Sequence, residues 1–207
     1  AAWDRGARVV MVPAIPYGTE TNQAAFPLSM NLYPSTLGLI IRNLAESLSD
    51  SGIDRLLILN GHGGNGFKPL LRELMNQTPC HLFLCDWFGA ICSDVQSEIF
   101  DEPGDHAGEM ETSLGLAVCP ELVDREQDGH LTADAGTTRL TKFDAVNQRW
   151  VTISRKWDLL TTHSGAGDPH PASAEKGQRL MEVLVERLSG FLVELAESEV
   201  GDRFPFE

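Results

Sequence analysis

The chain has 207 residues, of which 42% are hydrophobic and 22% charged, values that fit one large globular α/β domain spanning residues 1–207. Its formal net charge of −14 argues against binding to nucleic acid, which needs clustered Lys and Arg, and against binding to anionic membranes. The sequence shows no signal peptide, transmembrane run or lipidation motif, so we expect a cytoplasmic protein.

The first half of the chain alternates predicted strands and helices. Residues 8–15 (RVVMVPAI) form a short β-rich run that predicts a buried strand, and apolar residues at helical spacing predict a helix over residues 37–48. The clearest strand covers residues 55–59 (RLLIL), and it is followed by a helix over about 67–75 and a strand over 81–85. This alternation predicts a mainly parallel sheet with helices on both faces.

The second half of the chain is predicted to contain two helices and more irregular structure. A loop over residues 93–103 leads to a helix that opens at residues 105–113 and ends near Val118. Residues 125–150 are irregular and polar, and the longest helix covers residues 172 to about 197. The cysteines lie in or beside apolar runs and are expected to be buried free thiols: Cys80, Cys85, Cys92 and Cys119.

The first candidate for chemistry is the loop NGHGGN at residues 60–65, directly after the strand over residues 55–59. Sites in parallel sheets gather at the carboxyl ends of strands, and the flanking glycines leave the His62 imidazole projecting into open space. We interpret His62 as a residue for metal binding or for acid/base work. The alternatives are a phosphate held at the next helix N-terminus and a structural turn, although the spacing matches neither the dinucleotide fingerprint nor the P-loop.

The second candidate is the segment DHAGEME at residues 105–111, which holds four ionisable side chains where an apolar helix begins. If the helix has already started, His106 and Glu109 share one face at i, i+3 spacing and Glu111 points elsewhere. Imidazole and carboxylate bind zinc and manganese, and the same groups transfer protons. The alternative is a helix N-terminus stabilised by acids facing the helix dipole, which accounts for Asp105 and Glu109 but not for His106.

Taken in order, several motifs resemble those of one family. PAIPYG at residues 13–18, NGHGGN at 60–65, HAGEMETS at 106–113, GDP at 167–169 and EKG at 175–177 are similar to motifs of the creatininase family. The resemblance implies a three-layer α/β/α sandwich and a two-metal centre that holds zinc or manganese. It also implies hydrolysis of the amide C–N bond of a small molecule by a homo-oligomer, typically a hexamer.

The resemblance implies metal ligands for the two candidate segments. His62 corresponds to a metal ligand of the family. Creatininase proper has a Glu ligand two residues after that His, where this sequence has Gly64. Glu109 is therefore the expected substitute ligand, with Glu111 as the other choice.

Proton transfer and substrate contacts are also assigned from the resemblance. Asp105 and His106 correspond to the acid–histidine pair that transfers protons, and we expect His106, oriented by Asp105, to protonate the leaving nitrogen. Residues near the motifs are assigned to substrate binding: Tyr17, Gly63 and Trp87. Trp87 ends a strand, and a packed aromatic is the alternative interpretation for this residue.

One segment of the family pattern has no counterpart in this sequence. The family begins with a segment of the type E-x-H-x-x-H-L-P-x-x-T-D, which supplies a Glu, a His and the Asp that bridges the metals, and nothing in residues 1–30 matches it. We therefore expect a chain that is N-terminally truncated relative to the family and binds zinc or manganese weakly or not at all. Two functional classes follow, an amidohydrolase or a metal-free relative that acts as a binding or assembly subunit.

Overall fold

The computed structural model of the chain describes residues 1–206. Its α-helices and β-strands, in chain order, are α1 (Pro34–Asp50), β1 (Arg55–Asn60), α2 (Phe67–Leu74), β2 (His81–Asp86), α3 (Ser93–Ile99), α4 (Glu109–Val118), α5 (Asp144–Asn147), α6 (Trp157–Leu160) and α7 (Ala174–Glu197). Helices α2 and α7 begin and end within two residues of the bounds expected from the sequence. Helix α1 ends within two residues of its expected end but begins three residues earlier than expected. Within residues 1–206, no helix is long and apolar enough to cross a bilayer.

The sheet consists of β1 and β2, which run parallel and pair along their whole length. Arg55 lies opposite His81 at the amino ends, and Asn60 lies opposite Asp86 at the carboxyl ends. The predicted parallel pairing is confirmed. Because the two strands end at the same edge, the loops that follow them leave the sheet side by side.

Helices cover both faces of this sheet. On one face, alternate strand residues such as Leu56 and Leu82 pack against Leu37 of α1 and Phe67 of α2. On the other face, the ring of Phe83 meets that of Phe191 in α7 edge to face, with 5.8 Å between centroids. The predicted α/β/α layering is therefore confirmed, and burial of these apolar side chains stabilises it.

A second core lies between α3, α4 and α7. Its buried apolar members are Cys92, Ile99, Phe100, Met110 and Leu180. Ser173 caps α7 by accepting a hydrogen bond from the backbone N–H of Lys176, at 3.2 Å. A β-carbon on the next residue, Gly177, would overlap the carbonyl oxygen of Ser113, so only glycine lets α4 and α7 approach this closely.

Two expectations about secondary structure are wrong. Residues 8–15 form no strand, because nothing in residues 1–206 pairs with them along the backbone, and Val10 and Met11 are exposed. The predicted loop over residues 93–103 contains α3, since Val95 and Ile99 occupy one face of a short helix and pack into the second core.

The cysteines are free thiols, as expected, but only two of the four are buried. Cys80 and Cys92 are buried, whereas Cys85 and Cys119 are partly exposed. Removal from water raises the pKa of the Cys80, Cys85 and Cys92 thiols, which disfavours the reactive thiolate. These cysteines therefore serve packing rather than chemistry.

Candidate active site

Asn60, the last residue of β1, fixes the loop that carries His62. The Asn60 side chain is almost fully buried, and its Nδ2 donates to Oδ1 of Asp86 at 2.8 Å. Its Oδ1 accepts from the backbone N–H of His62 at 3.1 Å and from Nδ2 of Asn65 at 3.0 Å. One buried amide thus links the ends of both strands to both ends of the histidine loop.

A second loop, formed by residues 16–20, lies directly on this one. The backbone N–H of Thr19 donates to Oδ1 of Asn65 at 2.8 Å. A β-carbon on Gly18 would lie 2.7 Å from Oδ1 of Asn65, and one on Gly64 would lie 2.7 Å from both the Thr19 carbonyl oxygen and Cε1 of His62. Glycine at these two positions is what allows the loops to touch.

The contact between the loops brings Glu20 to His62. Oε1 of Glu20 lies 3.1 Å from Nδ1 of His62, but the two atoms do not have the geometry of a hydrogen bond. Three buried side-chain atoms in this group have no hydrogen-bond partner within residues 1–206: Thr19 Oγ1, Glu20 Oε2 and His62 Nδ1. We call Thr19, Glu20 and His62 the His62 cluster. Glu20 is a site residue that the sequence motifs do not identify, and its only local signal is its position two residues after the PAIPYG motif.

The segment that carries His106 is held by backbone contacts. The backbone N–H groups of Asp105 and His106 both donate to the Ala166 carbonyl, at 2.7 and 3.3 Å, and the Ala166 N–H donates to the His106 carbonyl at 2.8 Å. Three glycines meet backbone to backbone beside this bridge, with no room for a β-carbon: Gly104, Gly108 and Gly167. The HAGEMETS and GDP motifs are therefore joined through their main chains.

Helix α4 starts later than expected, and this changes which carboxylate reaches His106. Gly108 is extended and α4 begins at Glu109, so the condition under which His106 and Glu109 would share one helix face is not met. Oε2 of Glu111 lies 3.7 Å from Nδ1 of His106 and also accepts from the Ala107 N–H at 2.6 Å. Among the described residues, Glu111 rather than Asp105 supplies the carboxylate that pairs with His106.

An aromatic side chain completes the surroundings of His106. The imidazole meets the ring of Trp157 edge to face, with 5.5 Å between centroids. Nε1 of Trp157 donates to the Ser164 carbonyl at 2.6 Å, which fixes the indole. His106 is thus oriented by a carboxylate and an aromatic ring while staying partly exposed.

Glu109 is fully buried and already has partners within the chain. One of its oxygens forms an ion pair with Nζ of Lys176, and the other accepts from the Glu102 N–H at 2.9 Å. The hydrogen bond to Glu109 is the main cause of the raised pKa of Lys176, and a further bond to Asp101 adds to it. Both carboxylate oxygens of Glu109 are occupied, so Glu111 is the more available of the two carboxylates predicted as ligands, and the metal role of each stays a prediction.

The residues predicted to bind substrate lie around the two strand ends. Tyr17 is exposed on the loop that contacts the histidine loop. Gly63 faces the ring of Phe88, and Trp87 meets the same ring edge to face at 5.7 Å and packs against the second core. Trp87 is therefore a packed aromatic, and substrate binding by these residues stays a prediction.

A metal ion would find suitable donor chemistry in only part of this region. Within residues 1–206, no three His, Cys, Asp or Glu side chains are grouped closely enough to hold an ion. The His62 cluster nevertheless offers an imidazole nitrogen and carboxylate oxygens, which are ordinary ligands of zinc and manganese. Buried polar atoms usually have hydrogen-bond partners, and the unpartnered atoms of this cluster are therefore better explained by a bound ligand than by a complete hydrogen-bond network.

The family of the chain follows from a match over most of its length. A protein-family model described as creatininase, creatinine amidohydrolase, matches residues 1–192. The chain belongs to the creatininase family. This match includes the His62 cluster, the His106 segment and residues 174–192 of α7, and it supports an amidohydrolase-like function.

Two curated proteins are similar to this chain in sequence. The chain is 24% identical to mycofactocin precursor peptide peptidase from Mycobacterium ulcerans (strain Agy99), over 86% of this chain and 63% of that protein. It is 25% identical to creatinine amidohydrolase from Pseudomonas putida, over 87% of this chain and 72% of that protein. The chain thus spans less than two thirds of the first of these relatives.

Solved structures share the fold. A crystal structure of a Bacteroides fragilis NCTC 9343 protein with proposed creatinine amidohydrolase activity matches with a TM-score of 0.86 and 33% identity, over 97% of this chain and 78% of that one. Two creatininase structures, one described as a zinc–zinc type and one as a manganese form, match at 22% identity with a TM-score of 0.61, over 88% of this chain and 73% of each. The last two likenesses show the fold alone.

Proposed function

We propose that this chain carries part of the active site of a metal-dependent amidohydrolase that cleaves a non-peptide, in some cases cyclic, amide C–N bond, as creatinine amidohydrolase does. The observation that carries the proposal is the placement of two histidines, each with a carboxylate, on loops matched by the creatininase model. The names of related proteins support the reaction class. The zinc and manganese forms among the structural neighbours support one of these ions as cofactor.

In this proposal the two histidines divide the work. The chemistry that a bound divalent ion supplies is polarisation of the amide carbonyl and a lower pKa of a bound water. His62 would hold such an ion at the carboxyl end of β1. His106 would donate a proton to the leaving nitrogen, and Glu111 would orient its imidazole and stabilise the charged form. The neighbouring residue Asp105, whose backbone N–H donates to the Ala166 carbonyl, would help to orient His106.

Replacement of the proposed proton donor tests this function. His106→Ala should lower kcat for amide hydrolysis on the order of 100-fold or more, because general acid catalysis contributes about that much. The assay is release of product from creatinine and from a linear formamide, with zinc or manganese added. His130→Ala, at an exposed position outside the two candidate segments, is the matched control and should keep full activity. Unchanged turnover in the His106 variant would remove its role.

A second function is favoured by one observation. Within residues 1–206, no three metal-ligating side chains are grouped, and this observation favours a metal-free relative that acts as a binding or assembly subunit. Failure of the protein to take up zinc or manganese would favour this second function.

We propose further that the protein forms a homo-oligomer. Large apolar side chains are exposed along residues 140–159, including Leu140 at 84% and Trp150 at 80%. Exposed apolar area of this kind is typical of surfaces that bind another chain, and the family resemblance implies a hexamer. Sedimentation velocity at micromolar concentration should give a mass that is a multiple of 22.7 kDa. A clean monomer of 22.7 kDa would contradict the proposal.

A further inference from the structure

We infer that Glu20 is a metal-ligating residue that works with His62 and replaces the carboxylate that creatininase proper carries two residues after this histidine. The inference rests on the proposed function, because it names the ligand set of the same site. It differs from the expectation drawn from the sequence, which assigned the replacement to Glu109 or Glu111.

The first argument is the distance between the two side chains. Nδ1 of His62 and Oε1 of Glu20 are 3.1 Å apart without hydrogen-bond geometry. An ordinary ion pair at this distance would align its N–H with the carboxylate oxygen. Two donors that each lie roughly 2.0–2.1 Å from one ion are, in contrast, separated by about 3 Å and need no such alignment. The observed separation therefore fits two ligands of one ion.

The second argument is the lack of other partners. Oε2 of Glu20 and Nδ1 of His62 are both buried, and neither has a hydrogen-bond partner among the described residues 1–206. A buried polar group without a partner costs on the order of 1–3 kcal/mol. Glu109 shows the opposite situation, because Lys176 and the Glu102 N–H already use both of its oxygens. Of these two carboxylates, only that of Glu20 is left free to bind something.

The third argument is steric and concerns Gly64. A β-carbon at this position would lie 2.7 Å from Cε1 of His62 and 2.7 Å from the Thr19 carbonyl oxygen. Residue 64 therefore cannot present a carboxylate to the imidazole in this fold. The backbone of residues 19–20 fills that space instead, and it delivers a carboxylate from the neighbouring loop.

The backbone of this loop is fixed independently of any ligand. The Glu20 N–H donates to Oδ1 of Asn31 at 2.7 Å, and the Leu32 N–H donates to the Gly18 carbonyl at 2.8 Å. Together with the bond from Thr19 to Asn65, these contacts hold Glu20 in place from both sides. Such preorganisation is typical of a ligand whose position must be set before the ion arrives.

The test is metal binding by the complete chain and its Glu20→Gln variant, which keeps the shape of the side chain and removes its charge. Binding of MnCl2 is followed by the electron paramagnetic resonance signal of free Mn²⁺, and binding of ZnSO4 by titration calorimetry. Glu20→Gln should weaken both at least on the order of 10-fold, since even residues that only support a metal ligand contribute about 10–100-fold. Glu20→Asp should lie between the variant and the unaltered chain.

Two controls separate a ligand from a loop support. Glu46→Gln removes a carboxylate on α1 that lies in an exposed pair with Arg42, and it should bind both ions like the unaltered chain. Thermal midpoints without metal should be similar for all variants, whereas the rise in midpoint with added MnCl2 should be lost in Glu20→Gln, because only bound ligand stabilises the folded state.

The outcomes distinguish the inference from the proposed function. If His62→Ala abolishes binding but Glu20→Gln binds as tightly as the unaltered chain, the inference fails and the proposed metal site at His62 stands. If the unaltered chain binds neither ion, both the metal dependence and the role of Glu20 fail. Weakened binding in Glu20→Gln with normal binding in Glu46→Gln supports the inference.

Discussion

In the segment that carries His106, the carboxylates at positions 109 and 111 already have partners, whereas around His62 three buried polar atoms have no hydrogen-bond partner in the part of the chain that the structure describes. Each region contains one short motif of the creatininase family, NGHGGN at residues 60–65 and HAGEMETS at residues 106–113. In the first, paired groups and backbone contacts fix the segment, so its polar residues contribute to stability as well as to any chemistry. In the second, hydrogen bonds fix the backbone of both loops but do not reach Nδ1 of His62 or Oε2 of Glu20, which leaves these two atoms available for a ligand.

The largest change in stability that would test this difference between the two regions is expected for a substitution of Lys176. Lys176→Met leaves the fully buried Glu109 carboxylate without its cation, and removal of one partner of a buried ion pair costs about 3–5 kcal/mol. We therefore expect a loss of roughly 3 kcal/mol in the free energy of unfolding, measured by urea denaturation.

A double variant is the control for this prediction. Lys176→Met combined with Glu109→Met removes both charges and should recover most of the lost stability, because apolar replacement of a whole buried pair is often neutral. If the single variant is as stable as the unaltered chain, Glu109 is not a structural carboxylate, and the contrast between the two regions disappears.

A smaller effect is expected for Asn60 in the other region. Asn60→Ala removes hydrogen bonds to Asp86, to the His62 N–H and to Asn65 from an almost fully buried position. The expected loss is about 2 kcal/mol in the free energy of unfolding, since buried donors and acceptors are left without partners. Asn76→Ala, at an exposed position on the turn after α2, is the matched control and should change stability little.

The same variant separates support of the loop from stability alone. If Asn60 positions the histidine loop, Asn60→Ala should also weaken manganese binding at temperatures where the protein is fully folded. Equal stability of the Asn60 and Asn76 variants would mean that the loop is held by its other contacts.

The helices and strands that have a clear local sequence pattern were predicted correctly. The apolar periodicity of α1 and α7 and the apolar runs of β1 and β2 correspond closely to the observed elements. The run at residues 8–15 has the same composition as a strand but forms none, because a strand also needs a paired neighbour. Composition alone carries no information about that neighbour.

The candidate site was predictable to the extent that its residues lie in one motif. His62 and His106 were identified from the chemistry and spacing of their own segments. The start of α4 was not, because it depends on the backbone bridge between His106 and Ala166, which are 60 residues apart. The approach of Glu20 to His62 likewise depends on two glycines that let separate loops touch, and no periodicity marks such a contact.

The contact between Gly64 and the Thr19 carbonyl also limits the order in which this site can change by mutation. A carboxylate introduced at position 64 would collide with the backbone that holds Glu20, so the first step from one ligand arrangement toward the other damages the site before it improves it. Replacing Glu20 at the same time would not remove this collision, because the carbonyl belongs to the main chain of Thr19, so a carboxylate at position 64 requires the loop of residues 16–20 to move as well.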